Sequence, residues 1–220
     1  MTSPPPRFDP KRRRAVVFAL LLVTALASFE STVVSTAMPT IIGDLHGLTL
    51  YSWVFSVYLL TSTISMPLFG RLADLWGRRR VLLASMALFL GGALVCALAR
   101  SMPGLIAARA LQGLGAGGVM PVALTVTGDL FSIEERAKVQ GLFSAVWGVA
   151  SLAGPLLGAF LTLTFGWRSI FAINLPLGLV AFALVATKMV ESRERRCDPL
   201  DLAGAAALAA GVTAILFAVL

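Results

Sequence analysis

The sequence predicts an all-α membrane protein: a six-helix bundle followed by part of a seventh helix. Three observations carry that expectation. Of the 220 residues, 58% are hydrophobic and only 13% are charged, whereas a soluble domain carries about a quarter charged residues. The charges are gathered in short clusters between long apolar runs. Seven of those runs come close to or exceed the roughly 20 residues that a helix needs to cross a bilayer. A water-soluble fold cannot hide so much apolar surface, but lipid accepts it when backbone polar groups are paired within helices.

The runs are 15–38, 51–70, 81–99, 103–127, 139–163, 168–187 and 203–220. They divide the chain into a basic amino-terminal segment (1–14), a six-span bundle (15–187), a linker (188–202) and the start of an additional central helix (203–220). That last run reaches Leu220 with no polar flank and reads as the cut end of a longer chain. Lys11-Arg12-Arg13-Arg14, an apolar stretch and Ala25-Leu26-Ala27 imitate a cleaved secretory leader. The apolar run continues to Met38, so a retained first helix is expected.

The connections alternate in charge. Fifteen of the 18 basic residues fall before the first run, between the second and third, between the fourth and fifth, and between the sixth and seventh. Arg100 and Arg168 stand on the opposite side, and Arg109 lies within a run. Basic residues stay in the cytoplasm, so the expectation is a multi-pass plasma-membrane protein with a cytoplasmic amino terminus. The same distribution explains the net charge of +7. These charges end apolar runs instead of lining one exposed face, so no nucleic-acid partner is expected.

Chemistry of other kinds finds little support. Cys96 and Cys197 fall on opposite sides of the membrane, and two cysteines make no disulfide framework. The one histidine, His46, lies in an outer loop without companions for metal ligation or acid–base work. Glu134-Glu135-Arg136 reads as a solvated cytoplasmic connection. The expectation is therefore no enzyme, no metal and no cofactor.

Two ionisable residues lie deep within the runs, Glu30 in the first and Arg109 in the fourth. A charge at the centre of a bilayer costs about 2.5–3.5 kcal/mol on insertion scales, so something must offset it. Glu30 is eight residues from the outer end of its run and Arg109 six from that of its own, depths of about 12 and 9 Å at 1.5 Å per residue. At matching height the two are able to pair or share one aqueous cavity. Gln112, Gly113 and Ala116 follow Arg109 along one helix face. Asn174 lies at similar depth in the sixth run, where Pro176 is expected to free a carbonyl or bend the helix. Glu30 is then a candidate for proton exchange. Burial and a nearby guanidinium act in opposite directions on a carboxyl, and water access shifts the balance. The competing reading is a fixed ion pair that fastens two helices. The Gly113-Leu-Gly115-Ala-Gly117 stretch is expected to let helices approach closely, because small residues do so in lipid.

At this point the residues resemble a known family. Gly70-Arg-Leu-Ala-Asp74-Leu-Trp-Gly77-Arg78-Arg79-Arg80 is similar to the loop signature of the major facilitator superfamily. Leu105 to Gly115 resembles its fourth-helix motif in drug–proton antiporters. Gly141 with Gly154-Pro155-Leu-Leu-Gly158-Ala159 resembles the antiporter motif, and Glu30-Ser-Thr32 through Pro39 the first-helix pattern. Gly166-Trp167-Arg168 through Gly178 is similar to the branch with fourteen spans. Glu30 stands where that family usually has Asp, Leu75 where it has a basic residue, and Ala150 and Ala159 where it favours Gly.

The resemblance implies an amino-terminal bundle of a proton-coupled multidrug exporter that works by alternating access. It implies proton coupling by Glu30 and Arg109, and a substrate cavity that includes Thr32, Gln112 and Asn174. Gly70, Asp74, Gly77, Arg78 and Arg79 would form a conformational latch, with Arg80 a topology anchor. Gly154, Pro155 and Gly158 would bend the fifth helix. The implied partners are protons, lipophilic compounds (cationic ones among them), the lipid bilayer and a carboxy-terminal half, with the proton gradient in place of a cofactor. The alternative is a major facilitator carrier of a lipid, siderophore or metabolite with different coupling, since none of these motifs reads the substrate.

Overall fold

The computed structural model describes residues 10–191, together with Gly204, Ala207, Ala210, Gly211 and Ala214. All regular elements among them are helical: α1 (Pro10–Leu45), α2 (Tyr51–Trp76), α3 (Arg78–Ala97), α4 (Met102–Leu130), α5 (Ile133–Phe165), α6 (Ser169–Ala172) and α7 (Asn174–Lys188). One 3₁₀ turn, Leu48–Leu50, precedes α2. With α6 and α7 counted as one span, six helices are long and apolar enough to cross a membrane. Most of the expected linker and seventh helix lies outside the described residues; the five isolated positions are helical.

The helices outrun the apolar runs that announced them. α1 has 36 residues, a length of about 54 Å against roughly 30 Å of hydrocarbon. Hydropathy marks where lipid begins, whereas the hydrogen-bonded ladder continues through the polar ends. The amino-terminal segment is accordingly helical from Pro10, and α1 continues past Met38 through Pro39. Glu134 and Glu135 belong to the first turn of α5 and not to a loop. Ser132 caps that turn in a reciprocal capping box with Glu135.

Turn chemistry sets the other boundaries. Gly77 alone separates α2 from α3 and holds φ at +98, which an L side chain rarely adopts. Ser101 caps α4, its Oγ accepting from the Gly104 N–H at 3.3 Å. In the sixth span the break comes at Ile173, ahead of Pro176. Pro176 lies in the first turn of α7, where its missing N–H is tolerated, and the carbonyl it cannot serve is that of Ala172.

Glycines fix how the helices pack. A Cβ at Gly113 would fall 2.5 Å from the Tyr58 carbonyl oxygen in α2, and one at Gly115 would run into the Phe89 backbone in α3. α4 therefore wedges between α2 and α3 on alternate glycine faces, as the sequence implies. Along α5, Gly154 abuts Thr32 and Gly158 abuts Val33 of α1.

Two apolar clusters fill the bundle. One, at the amino-terminal end, gathers Leu20, Leu82, Val122, Phe143, Ala181 and Val185. The other, at the opposite end, gathers Ile41, Val54, Cys96, Leu105, Trp167 and Phe171. Between them in sequence, on α1, α4 and α7, lie Glu30, Arg109, Gln112 and Asn174. α2 and α5 are the least enclosed, with 17% and 22% of their most apolar stretches buried against 50% for α3 and 56% for α4.

Candidate functional site: a buried carboxylate–guanidinium cluster

Four polar side chains that no hydrocarbon would tolerate singly are brought together at mid-bundle. Glu30, Arg109, Gln112 and Asn174 are 2%, 1%, 0% and 3% exposed. Arg109 Nη1 donates to Glu30 Oε1 and, at 2.8 Å, to Gln112 Oε1. Asn174 Nδ2 donates to Glu30 Oε2 at 2.8 Å. Each carboxylate oxygen thus has its own donor, one from α4 and one from α7. This is the way a buried charge becomes tolerable: paired and hydrogen-bonded on every open side.

The guanidinium is fixed on its other edges as well. Its Nε donates to the Val54 carbonyl at 3.3 Å, and its central carbon stands 4.1 Å from the centre of the Tyr58 ring, a cation–π placement. Gln112 Oε1 also accepts from Cys96 Sγ at 3.5 Å, while Gln112 Nε2 is buried without a partner. Gly92 makes room for this, since a Cβ there would lie 2.5 Å from Gln112 Cα. Five helices (α1, α2, α3, α4 and α7) therefore contribute to one polar cluster.

The depth argument from sequence placed Glu30, Arg109 and Asn174 at similar height with Gln112 on the Arg109 face, and the structure joins all four. Thr32 is elsewhere. Two residues on from Glu30 is about 200° around the helix, so Thr32 faces α5, hydrogen-bonds back to the Phe29 carbonyl at 3.1 Å and packs on Gly154. Gly154 and Gly158 line that same α1–α5 seam, and α5 continues without interruption through the exposed Pro155. Sequence reasoning missed Val54, Tyr58 and Cys96. A backbone carbonyl leaves no sequence signal. Tyr58, one of two tyrosines and set within an apolar run, did leave one.

The expected latch residues lie at the amino-terminal end. Arg78 pairs with Asp129 at the end of α4. The Arg79 guanidinium donates to the Ala186 carbonyl of α7, and its backbone N–H donates to Glu191 Oε1 at 3.1 Å. Gly77 is buried against Glu191. Arg80 is mostly exposed and reaches Glu191 Oε2 only at 3.9 Å. Asp74 is half-buried and has no ion-pair partner among the described residues, and Gly70 has open space around it. The signature loop thus ties α3 to α4 and α7 within this bundle through Asp129 and Glu191, neither of which the sequence singled out.

Comparison with known proteins agrees with this architecture. The profile of the Major Facilitator Superfamily matches residues 20–219. The multidrug transporter protein MdtP of Bacillus subtilis is 39% identical over 207 residues, which are 94% of this chain and 38% of that protein. Multidrug resistance protein 3 of the same organism is 38% identical over 203 residues, 92% of this chain and 40% of the relative. The chain thus spans about two fifths of the length of these relatives. Among solved structures, the POT family transporter PepTSo superposes with a TM-score of 0.71 at 19% identity, covering 87% of this chain and 40% of the other. The human organic anion transporter MFSD10 gives 0.66 at 23% identity, covering 91% and 53%.

Proposed function

The chain belongs to the Major Facilitator Superfamily, and from that premise we propose that it is the amino-terminal bundle of a proton-coupled exporter of lipophilic compounds, cationic ones among them. The bundle would sit in the plasma membrane with its amino terminus in the cytoplasm and work by alternating access against a second bundle. α2 and α5, least covered here, are the helices that would meet that partner, and the bend expected at Gly154-Pro155-Gly158 would shape the contact. The relatives named as multidrug transporters support the cargo class, and the branch with fourteen spans remains part of this reading.

One observation carries the coupling: both oxygens of Glu30 are occupied by donors from different helices. Deprotonated, Glu30 ties α1 to α4 through Arg109 and to α7 through Asn174. A proton on either oxygen sets an O–H against an N–H donor, and that bond is lost. Arg109 keeps Gln112, the Val54 carbonyl and the Tyr58 ring as partners, so the guanidinium stays satisfied when the proton takes Oε1, and α1 then keeps only its tie to α7 through Oε2. Proton uptake then undoes one of the two ties of α1 and leaves the cluster with the net positive charge of Arg109, which drives a cationic cargo out. The polar lining assigned to Thr32, Gln112 and Asn174 divides in two. Gln112 and Asn174 serve the proton site, and Thr32 the α1–α5 seam. Gly70, Asp74, Gly77, Arg78 and Arg79 would latch the two bundles together at the cytoplasmic end, from a base that Arg78 and Arg79 tie to α4 and α7.

The test is Glu30→Gln in the full-length gene product, reconstituted in vesicles with an imposed pH gradient and a fluorescent lipophilic cation. The neutral amide should abolish gradient-driven efflux while the protein still inserts and still binds the dye. Undiminished pH-dependent efflux from that variant would sink the proposal. Failure to insert would favour the fixed ion pair.

A further inference from the structure

The outer end of the bundle carries a second polar assembly, built on partners distinct from those of the Glu30 cluster. Arg168 Nη1 donates to Asp44 Oδ2 at 2.8 Å, and Arg168 Nη2 donates to the Ala99 carbonyl at 3.1 Å. The neighbouring Trp167 Nε1 donates to the same Asp44 oxygen at 2.8 Å. The guanidinium also stacks 4.2 Å from the Trp167 ring centre. One residue thereby holds three separate segments: the end of α1, the α3–α4 connection and the start of the sixth span. A lone surface ion pair would carry little meaning. A planar fork that engages a carboxylate and a carbonyl on two other segments fixes geometry.

That geometry is carried inward by backbone hydrogen bonds as far as Ile173, where the span breaks ahead of α7. Ile170 N–H donates to the Trp167 carbonyl at 3.2 Å, Ala172 N–H to that of Arg168 at 3.1 Å, and Ile173 N–H to that of Ser169 at 3.0 Å. Trp167, 3% exposed, lies edge-to-face with the fully buried Phe171 at 6.3 Å. Asn174 follows directly, as the first residue of α7. Its amide is the only donor to Glu30 Oε2 among the described residues.

We propose that Arg168 is a positioning residue for the buried cluster: by clamping the outer start of the sixth span to α1 and to the α3–α4 connection, it sets the height at which Asn174 meets Glu30. This rests on Glu30 being the exchanging carboxyl. The readout below is independent of proton transfer, so the two ideas fail separately.

Cys96, fully buried and bonded to Gln112, reports on opening of the cluster. In membranes holding the full-length gene product, with every other cysteine replaced by serine, the rate of Cys96 alkylation by N-ethylmaleimide is measured. Arg168→Ala should raise that rate about tenfold, and Asn174→Ala should do the same. The double variant should stay within about twofold of either single one, because both changes undo one element. Arg168→Lys, which keeps the charge beside Asp44 without the fork, should fall between wild type and Arg168→Ala. A control thiol made by Ser85→Cys in a Cys96→Ser background lies in the other apolar half, where Ser85 is fully buried. Its rate should not change with Arg168→Ala. An unchanged Cys96 rate, equal acceleration of both thiols, or additive effects in the double variant would each overturn the proposal. Loss of efflux in Glu30→Gln alongside any of these results would leave the proton reading standing.

Discussion

Removing the cation from the buried pair should be worse than removing the pair. Arg109→Met keeps an unbranched apolar stem but deletes the bonds to Glu30, Gln112 and the Val54 carbonyl. Glu30, 2% exposed, then keeps only the Asn174 donor. Stripping one partner from a buried ion pair costs about 3–5 kcal/mol, whereas replacing both partners is often close to neutral. For a chain of this size each kcal/mol moves the melting temperature by roughly 2–4 °C, so at about 3 kcal/mol the single variant should melt roughly 6–12 °C lower. The double variant Glu30→Gln/Arg109→Met should regain at least half of that. Tryptophan fluorescence of detergent-purified protein, heated in parallel for wild type, both single variants and the double, measures the cycle. If the double variant is as unstable as the two single losses added together, the side chains are not coupled and the cluster as described is wrong.

Two further outcomes follow from packing and topology. Gly115→Leu would drive a side chain into the Phe89 backbone, whereas Gly91 in α3 has open space around it. Gly115→Leu should therefore lose roughly 1–3 kcal/mol or more and most of its monodisperse peak on size exclusion, while Gly91→Leu behaves like wild type; equal behaviour would refute the wedge packing. Alkaline phosphatase fused after Arg100 should be active, and fused after Ser132 inactive, because the enzyme matures only outside the cytoplasm; the reverse pattern would invert the orientation.

How much of this was written in the sequence varies with the physics involved. The six spans among the described residues were legible because lipid imposes a hydropathy threshold that few soluble helices reach. Helix ends were not, because the ladder through Pro10–Arg14 and through Pro39–Leu45 obeys hydrogen bonding and not hydropathy. The similar depth of Glu30, Arg109 and Asn174 was legible by counting residues down from the membrane surface, since helical rise converts spacing into depth, and Gln112 by its place on the Arg109 face. Their contact was not legible, because depth fixes height and not azimuth. Thr32, which came only with the family resemblance, stands apart from these four because two residues of helix turn a side chain to the far face. Glu191 and Asp129 were invisible for a different reason. Charges at helix ends find partners across segments distant in sequence, and no local pattern foretells which.

The order in which the chain is made places a demand on α1 that the finished bundle conceals. Arg109 lies 79 residues after Glu30 and Asn174 lies 144 after it. At about 5–20 residues per second, ribosomes would deliver the first partner roughly 4–16 s later and the second roughly 7–29 s later. During that interval the newborn first helix must stay in the bilayer with an uncompensated acidic group, held by little beyond the apolarity of its 18-residue window of mean hydropathy 2.0. The strength of that greasy stretch is therefore a requirement of biogenesis, set by the wait for partners not yet synthesised.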